Sequence, residues 1–369
     1  MPATESIGSL SLEEKVGRLF FIGIGGTAVD AGTASLLDEI KPGGVCLFSR
    51  NIKDAAETRR LLDGIRSHLS FEPLLSIDQE GGLVDRLRRV VTPMPAASEF
   101  KTVQDVQRSA QIAAETLRIL GFNMNFAPVV DVIDGERSEA DNGLRSRAFG
   151  HSVEQVVDLA GAFLNILQHD GCLGCIKHFP GLGAARVDSH EELPLVDIAE
   201  QEFFDKDISP YKDLMRRSDV YAVMVAHAAY PQLGLQESSQ DGRLLPASLS
   251  RAMITGLLRN EFGFDGVVIT DDLEMGAIIR NYGIGEGCKM AVSAGADMLA
   301  ICAGEGNIRE GFRAVIDAVN AGEITEERID ESVRRISNLQ ALAAKPLPLD
   351  IERLSRISDE IAQLKESLK

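Results

Sequence analysis

The sequence is short of positive charge: 38 lysines and arginines face 56 aspartates and glutamates, a formal net charge of −18. A nucleic-acid partner is not expected, because a phosphate backbone calls for a basic footprint. An anionic membrane surface is disfavoured on the same ground. Long apolar runs are missing too, and no stretch approaches the roughly 20 residues that a membrane-spanning helix needs. The opening MPATESIGSLSLEEKVGRLF has no early basic residue and no apolar run ahead of a small-residue cleavage site, so a secretory signal is not expected. Cysteines are few and odd in number: Cys46, Cys172, Cys175, Cys288 and Cys302. All sit among apolar or small residues, which reads as buried free thiols in a reducing compartment, and hence a cytoplasmic protein. Cys172 and Cys175 form a C-x-x-C, but no second pair completes a zinc site, and two small buried residues beside a strand are the simpler reading. No repeat, low-complexity block or Gly/Ser linker divides the chain.

What is present is a pattern. Hydrophobic residues make up 44% of the 369 and charged residues 25%, enough for a soluble fold with a large core. Eight short apolar runs recur, at 19–24, 44–48, 74–78, 123–130, 173–178, 222–227, 267–270 and 297–301. Each is rich in Val, Ile, Leu, Met and Ala, as fully buried parallel strands are. Helix-length amphipathic segments lie between them, at 51–70, 102–120, 152–168, 198–217, 248–261, 285–294 and 307–321. Ser152 and Ser248 stand where N-caps belong. Alternation of this kind predicts an α/β fold, a single (β/α)8 TIM barrel rather than an open doubly wound sheet. A further helix at 324–344, the link KPLPLD and a last charged helix at 351–368 predict a C-terminal helical extension. The expected division is 1–345 as the catalytic barrel and 346–369 as a helix packed on it.

Active sites of such barrels lie at the C-terminal ends of the strands, so reactive residues there carry weight. The third run ends in SIDQEGG with Asp78, and Arg86 follows eight residues on. The fourth leads through a polar loop to RAFG and Arg147. The fifth ends at Lys177 and His178, and the Gly-rich loop after it holds Asp188 and His190; an Asp beside a His can orient the imidazole and tune its basicity. The sixth ends at His227, which either lines a pocket or is a satisfied core residue. The seventh ends at Asp271 and Asp272. Consecutive residues point to different sides, which makes Asp271 the better candidate to face the barrel mouth. A metal reading of Asp271, Asp272, Glu274 and a His is less favoured than a nucleophile with a supporting neighbour. FIGIGGTA in the first run lacks the rest of a nucleotide-binding fingerprint.

IDQEGG, NFAPVVDV, RAFG, KHFPG-x-G with DSH, PASLS and ITDDLEMGAI occur in this order. Together they resemble glycoside hydrolase family 3, and within it the single-domain β-N-acetylglucosaminidases of the NagZ type, over roughly residues 10–340. The resemblance implies a retaining hydrolase that removes terminal β-linked N-acetylglucosamine from a small carbohydrate or muropeptide in peptidoglycan recycling. It implies Asp271 as nucleophile, His190 as acid/base and Asp188 as its partner. Asp78, Arg86, Arg147, Lys177 and His178 match the residues that bind the sugar. No metal or organic cofactor is implied. The chain departs from the family pattern at Leu83, where Arg often follows QEGG, at Leu182, where KHFPGHG has His, and at Ala184, where Asp is common. A β-glucosidase, a phosphorylase using the His in place of a carboxylate, and a catalytically silent sugar-binding barrel are the alternatives.

Overall fold

The apolar runs become the staves of a closed parallel barrel. The computed structural model describes residues 7–140, 142–185, 193–239 and 241–369. The strands are β1 (Phe20–Gly23), β2 (Gly44–Leu47), β3 (Leu74–Ile77), β4 (Met124–Asn125), β5 (Leu173–Gly174 continuing as Ile176–Phe179), β6 (Ala222–Val225), β7 (Val267–Thr270) and β8 (Leu299–Ile301). Every strand residue is buried, as expected where helices cover the outer face and side chains fill the inner one. β1 pairs with both β2 and β8, and β2–β3–β4–β5 and β5–β6–β7 follow in parallel register. A bridge from Ile269 to Met298 joins β7 to β8 and closes the ring, which excludes the open sheet.

Two strands differ from expectation. The fourth run pairs as a ladder only at Met124–Asn125, because Pro128 has no N–H to give. Beyond it the chain still follows β5 through Cys175 N to Ala127 O and Val130 N to Lys177 O. β5 shifts register between Ile176 and Phe179, and that irregularity turns both Lys177 and His178 toward the barrel mouth.

The helices also depart locally. A helix at Ala31–Ile40 lies between β1 and β2, where none is predicted; Asp30 caps it by accepting from Thr33 N at 2.8 Å. The segment 198–217 is not one helix but Glu200–Glu202, a wide turn at Phe203–Asp207 and Ser209–Arg217, with Pro210 opening the last piece. Ser152 does cap Val153–His169 through Gln155 N. Ser248 is no cap: it lies in a short 3-10 turn, and Ser250 accepts from Met253 N instead.

After the barrel, Glu326–Leu342 packs Ile329, Val333, Ile336 and Leu339 inward. Ile351–Ser367 buries Leu354, Ile357, Ile361 and Leu364 and lies against Val103–Leu120, where Arg353 meets Glu115 at 2.7 and 2.6 Å. All five cysteines are buried free thiols. Among the described residues, no helix is long and apolar enough to cross a membrane.

Candidate active site

The site is assembled at the ends of β3, β4, β5 and β7. Asn125 on β4 accepts from Gln79 N and donates to Gln79 O, each at 3.0 Å. This fixes the backbone just past β3, so that Asp78 and Glu80, two residues apart, share one face. Glu80 opens a hairpin formed by Gln79–Gly81 and Val84–Asp85. A cleft of about 520 Å³ lies above these strand ends, lined by Asp78, Glu80, Arg86, Arg147, Lys177, His178, Asp271 and Asp272 among others.

Its floor is ionic. Lys177 Nζ reaches Asp78 Oδ1 at 2.6 Å and Glu80 Oε1 at 2.7 Å. Arg147 grips Glu80 with two bonds of 2.7 and 2.9 Å, the fork geometry that suits a carboxylate. Burial alone would raise the Glu80 carboxyl, but the Lys177 and Arg147 charges outweigh it and hold the group far below the ordinary range. Burial would likewise lower Lys177; the Asp78 and Glu80 charges reverse that and raise it. Glu80, Lys177 and Arg147 are therefore charged at neutral pH.

His178 is set by the same network. Its Nδ1 donates to Asp131 at 2.9 Å, and Arg147 Nη2 lies 3.2 Å from its Nε2. A guanidinium can only donate, so Nε2 faces Arg147 as the acceptor while Nδ1 faces Asp131. Asp131 is itself held by Leu182 N at 2.6 Å. Arg86 lines the cleft, and its Nε is buried without a hydrogen-bond partner among the described residues.

At the end of β7 the two aspartates diverge. Asp271 Oδ1 accepts from the Asp272 amide at 2.8 Å. Burial pushes Asp271 up, but His227, His178, that amide and Lys177 together hold it below the ordinary carboxylate range. Asp272 is pushed up to about 7 by burial and by the Glu274 and Asp271 carboxylates. Both line the cleft, contrary to the opposite-sides expectation, because the strand has ended and the chain is turning: Asp272 Oδ1 takes the amides of Glu274 and Cys302 at 3.0 and 3.3 Å. Glu274 is spent on Ala303 N, Gly304 N and Asn307.

His227 resolves as a core residue. Its Nε2 donates to Asp272 O at 3.0 Å, and its Nδ1 accepts from Ser248 Oγ at 2.7 Å. Burial lowers its pKa, so it is neutral. Thus the cleft brings together Asp78, Arg86, Arg147, Lys177, His178 and Asp271, while Asp188 and His190 lie outside the described residues. Sequence reasoning missed Glu80 and Asp131. The two-residue spacing from Asp78 could have found the first. The second stands directly after the apolar run at 123–130, the same strand-end signal that marks Asp78 and Asp271.

Fold and cleft define a class: a (β/α)8 barrel with a cleft of buried charged groups at its C-terminal strand ends, where enzymes of this fold hold their active sites. Residues 11–339 match the glycosyl hydrolase family 3 N-terminal domain, and the chain belongs to that family of glycoside hydrolases. A curated beta-hexosaminidase of Psychromonas ingrahamii is 30% identical over 343 residues, covering 91% of this chain and 96% of its own length. A solved family 3 beta-N-acetylglucosaminidase from a Paenibacillus strain is 34% identical with a TM-score of 0.87, covering 96% of this chain and 69% of that one. The beta-N-acetylglucosaminidase of Thermotoga maritima is 25% identical with a TM-score of 0.78, covering 94% of this chain and 70% of that one.

Proposed function

We propose that the chain is a retaining β-N-acetylglucosaminidase that releases terminal β-linked N-acetylglucosamine, with Asp271 as nucleophile. The observation that carries this reading is an ionised, cleft-facing Asp271 beside a floor of paired charges. The names of its relatives supply the sugar. The Asp272 amide holds Oδ1, leaving Oδ2 to attack the anomeric carbon as the leaving oxygen departs. His190, oriented by Asp188, gives that oxygen its proton and later takes one from the water that cleaves the glycosyl–enzyme ester. Asp78, Arg86, Arg147, Lys177 and His178 bind the sugar hydroxyls and amide. A cytoplasmic muropeptide in peptidoglycan recycling is the substrate we favour, with 1–345 as the catalytic barrel and 346–369 as its packed helix.

The test is Asp271→Asn assayed on 4-nitrophenyl β-N-acetylglucosaminide. Turnover falls by roughly 10³-fold or more while the melting temperature holds. A fluorinated sugar leaves a covalent adduct on Asp271 of the native enzyme, seen by intact mass. Near-normal turnover in the variant, or no adduct, overturns the assignment. Release of N-acetylglucosamine rather than its 1-phosphate in phosphate buffer separates hydrolysis from phosphorolysis. His190→Ala slows glycosides with poor leaving groups much more than aryl glycosides, because a good leaving group needs little protonation; equal loss on both removes the acid role.

A further inference from the structure

The hairpin that carries Glu80 to the cleft floor carries Leu83 to its tip. Leu83 lines the cleft yet is 73% exposed, the highest value for a large hydrophobic among the described residues. A single exposed leucine is ordinary on a protein surface. This one is held out by its backbone. Gly82 N donates to Met94 O at 3.0 Å, and Arg88 Nη2 donates to Leu83 O at 3.2 Å. Fully buried Asp85 ties the far side of the hairpin to Leu87 N and Met94 N at 3.0 and 2.7 Å. Gly81 and Gly82 sit at φ +93° and +57°, and a Cβ on Gly81 would lie 2.1 Å from Pro95 O. The backbone of the tip is thus clamped against the segment behind it, with Leu83 exposed at the cleft rim.

Below it the charged groups Lys177, Arg147, Asp78 and Glu80 are paired with one another and suit hydroxyls and amides. An apolar side chain on the rim of such a site is useful only to the part of the substrate that stays at the rim. We propose that Leu83 is the aglycone-side specificity contact, taking an uncharged, apolar face of the leaving group, either an aryl ring or the C–H face of a sugar. Phe48 and Met275 line the same cleft and extend the apolar surface. The proposal rests on the N-acetylglucosaminidase reading above.

Three substrates with one glycone test it: the 4-nitrophenyl glycoside, N,N′-diacetylchitobiose and the methyl glycoside of β-N-acetylglucosamine. In Leu83→Ala, kcat/KM falls about tenfold through KM on the aryl glycoside, the disaccharide or both, and stays within about twofold on the methyl glycoside. Leu83→Met restores the native ratio. Loss confined to one of the first two identifies the face that Leu83 takes. Equal change on all three, or no change on any, overturns the proposal while leaving the function intact. If the native enzyme cleaves none of the three, the function falls and this inference with it.

Discussion

Glu80, which was not singled out from sequence, joins the two cations of the cleft floor. It accepts from Lys177 once and from Arg147 twice, in a buried setting. Removing it leaves two cations with one carboxylate, Asp78, between them. Breaking a buried pair on one side costs about 3–5 kcal/mol, so Glu80→Ala should lower unfolding free energy by that order in urea titrations and raise KM sharply. A variant of native stability would mean that the cluster is well solvated. Asp272 makes a separate claim. Its ordinary value is 3.8 and in the fold it is about 7. The folded state thus keeps a proton that the unfolded chain has released. This contribution is fully present below about pH 4 and is lost as pH rises through 7. Asparagine mimics the protonated acid, so the melting temperature of Asp272→Asn should fall less between pH 5 and 8 than that of the native protein. Parallel pH profiles for the two would show that Asp272 ionises normally.

Elements were legible where local chemistry and final burial agree. The run VVIT, β-branched and apolar, is β7 residue for residue. The run at 123–130 looked equally strong, but Pro128 cannot join a ladder. The helix Ala31–Ile40 was not predicted although its buried Thr33, Leu36, Leu37 and Ile40 fall at helical spacing; polar Thr33 and the Ala and Gly residues around it dilute that pattern. Ser248 has the look of a cap, yet its hydroxyl goes to His227 on another strand, a bond no local pattern encodes. The same limit applies in the site. Strand-end position was enough to nominate Asp78, Lys177, His178 and Asp271, but the pairing of Lys177 with Glu80 and of His178 with Asp131 spans 97 and 47 residues of chain. The last helix was legible and makes its own prediction. Its four buried apolar residues contribute about 1.5–3 kcal/mol each, offset in large part by the entropy of ordering the segment. A chain ending at residue 345 should therefore melt several degrees lower, yet cleave the aryl glycoside with unchanged KM, since no residue after 303 lines the cleft. A changed KM would make the helix part of the site.

At the scale of the whole molecule, the two ends of the barrel have different tasks. The C-terminal mouth gathers the charged cleft, and the N-terminal face gathers a second charged cluster around Asp297, which is fully buried just ahead of β8. Asp297 accepts from Val268 N at 3.0 Å, Ser332 Oγ at 2.8 Å and Arg259, with Arg335 and Arg328 at 3.4 and 3.5 Å. It thereby pins the seam where β7 meets β8 to the helix Ala252–Glu261 and to Glu326–Leu342. Burial and the neighbouring Arg335 and Arg328 charges already depress Arg259. Without Asp297, three guanidiniums would face one another with no central anion. Asp297→Ala should therefore cost about 3–5 kcal/mol of stability. Asp297→Asn, which keeps acceptor oxygen but loses charge, should fall between it and the native protein. None of these groups touches the cleft, so below the melting transition kcat on the aryl glycoside should stay within about twofold of native. Loss of kcat at temperatures where circular dichroism still reports the native fold would show that the two faces are coupled, and the division of labour along the barrel axis would not hold.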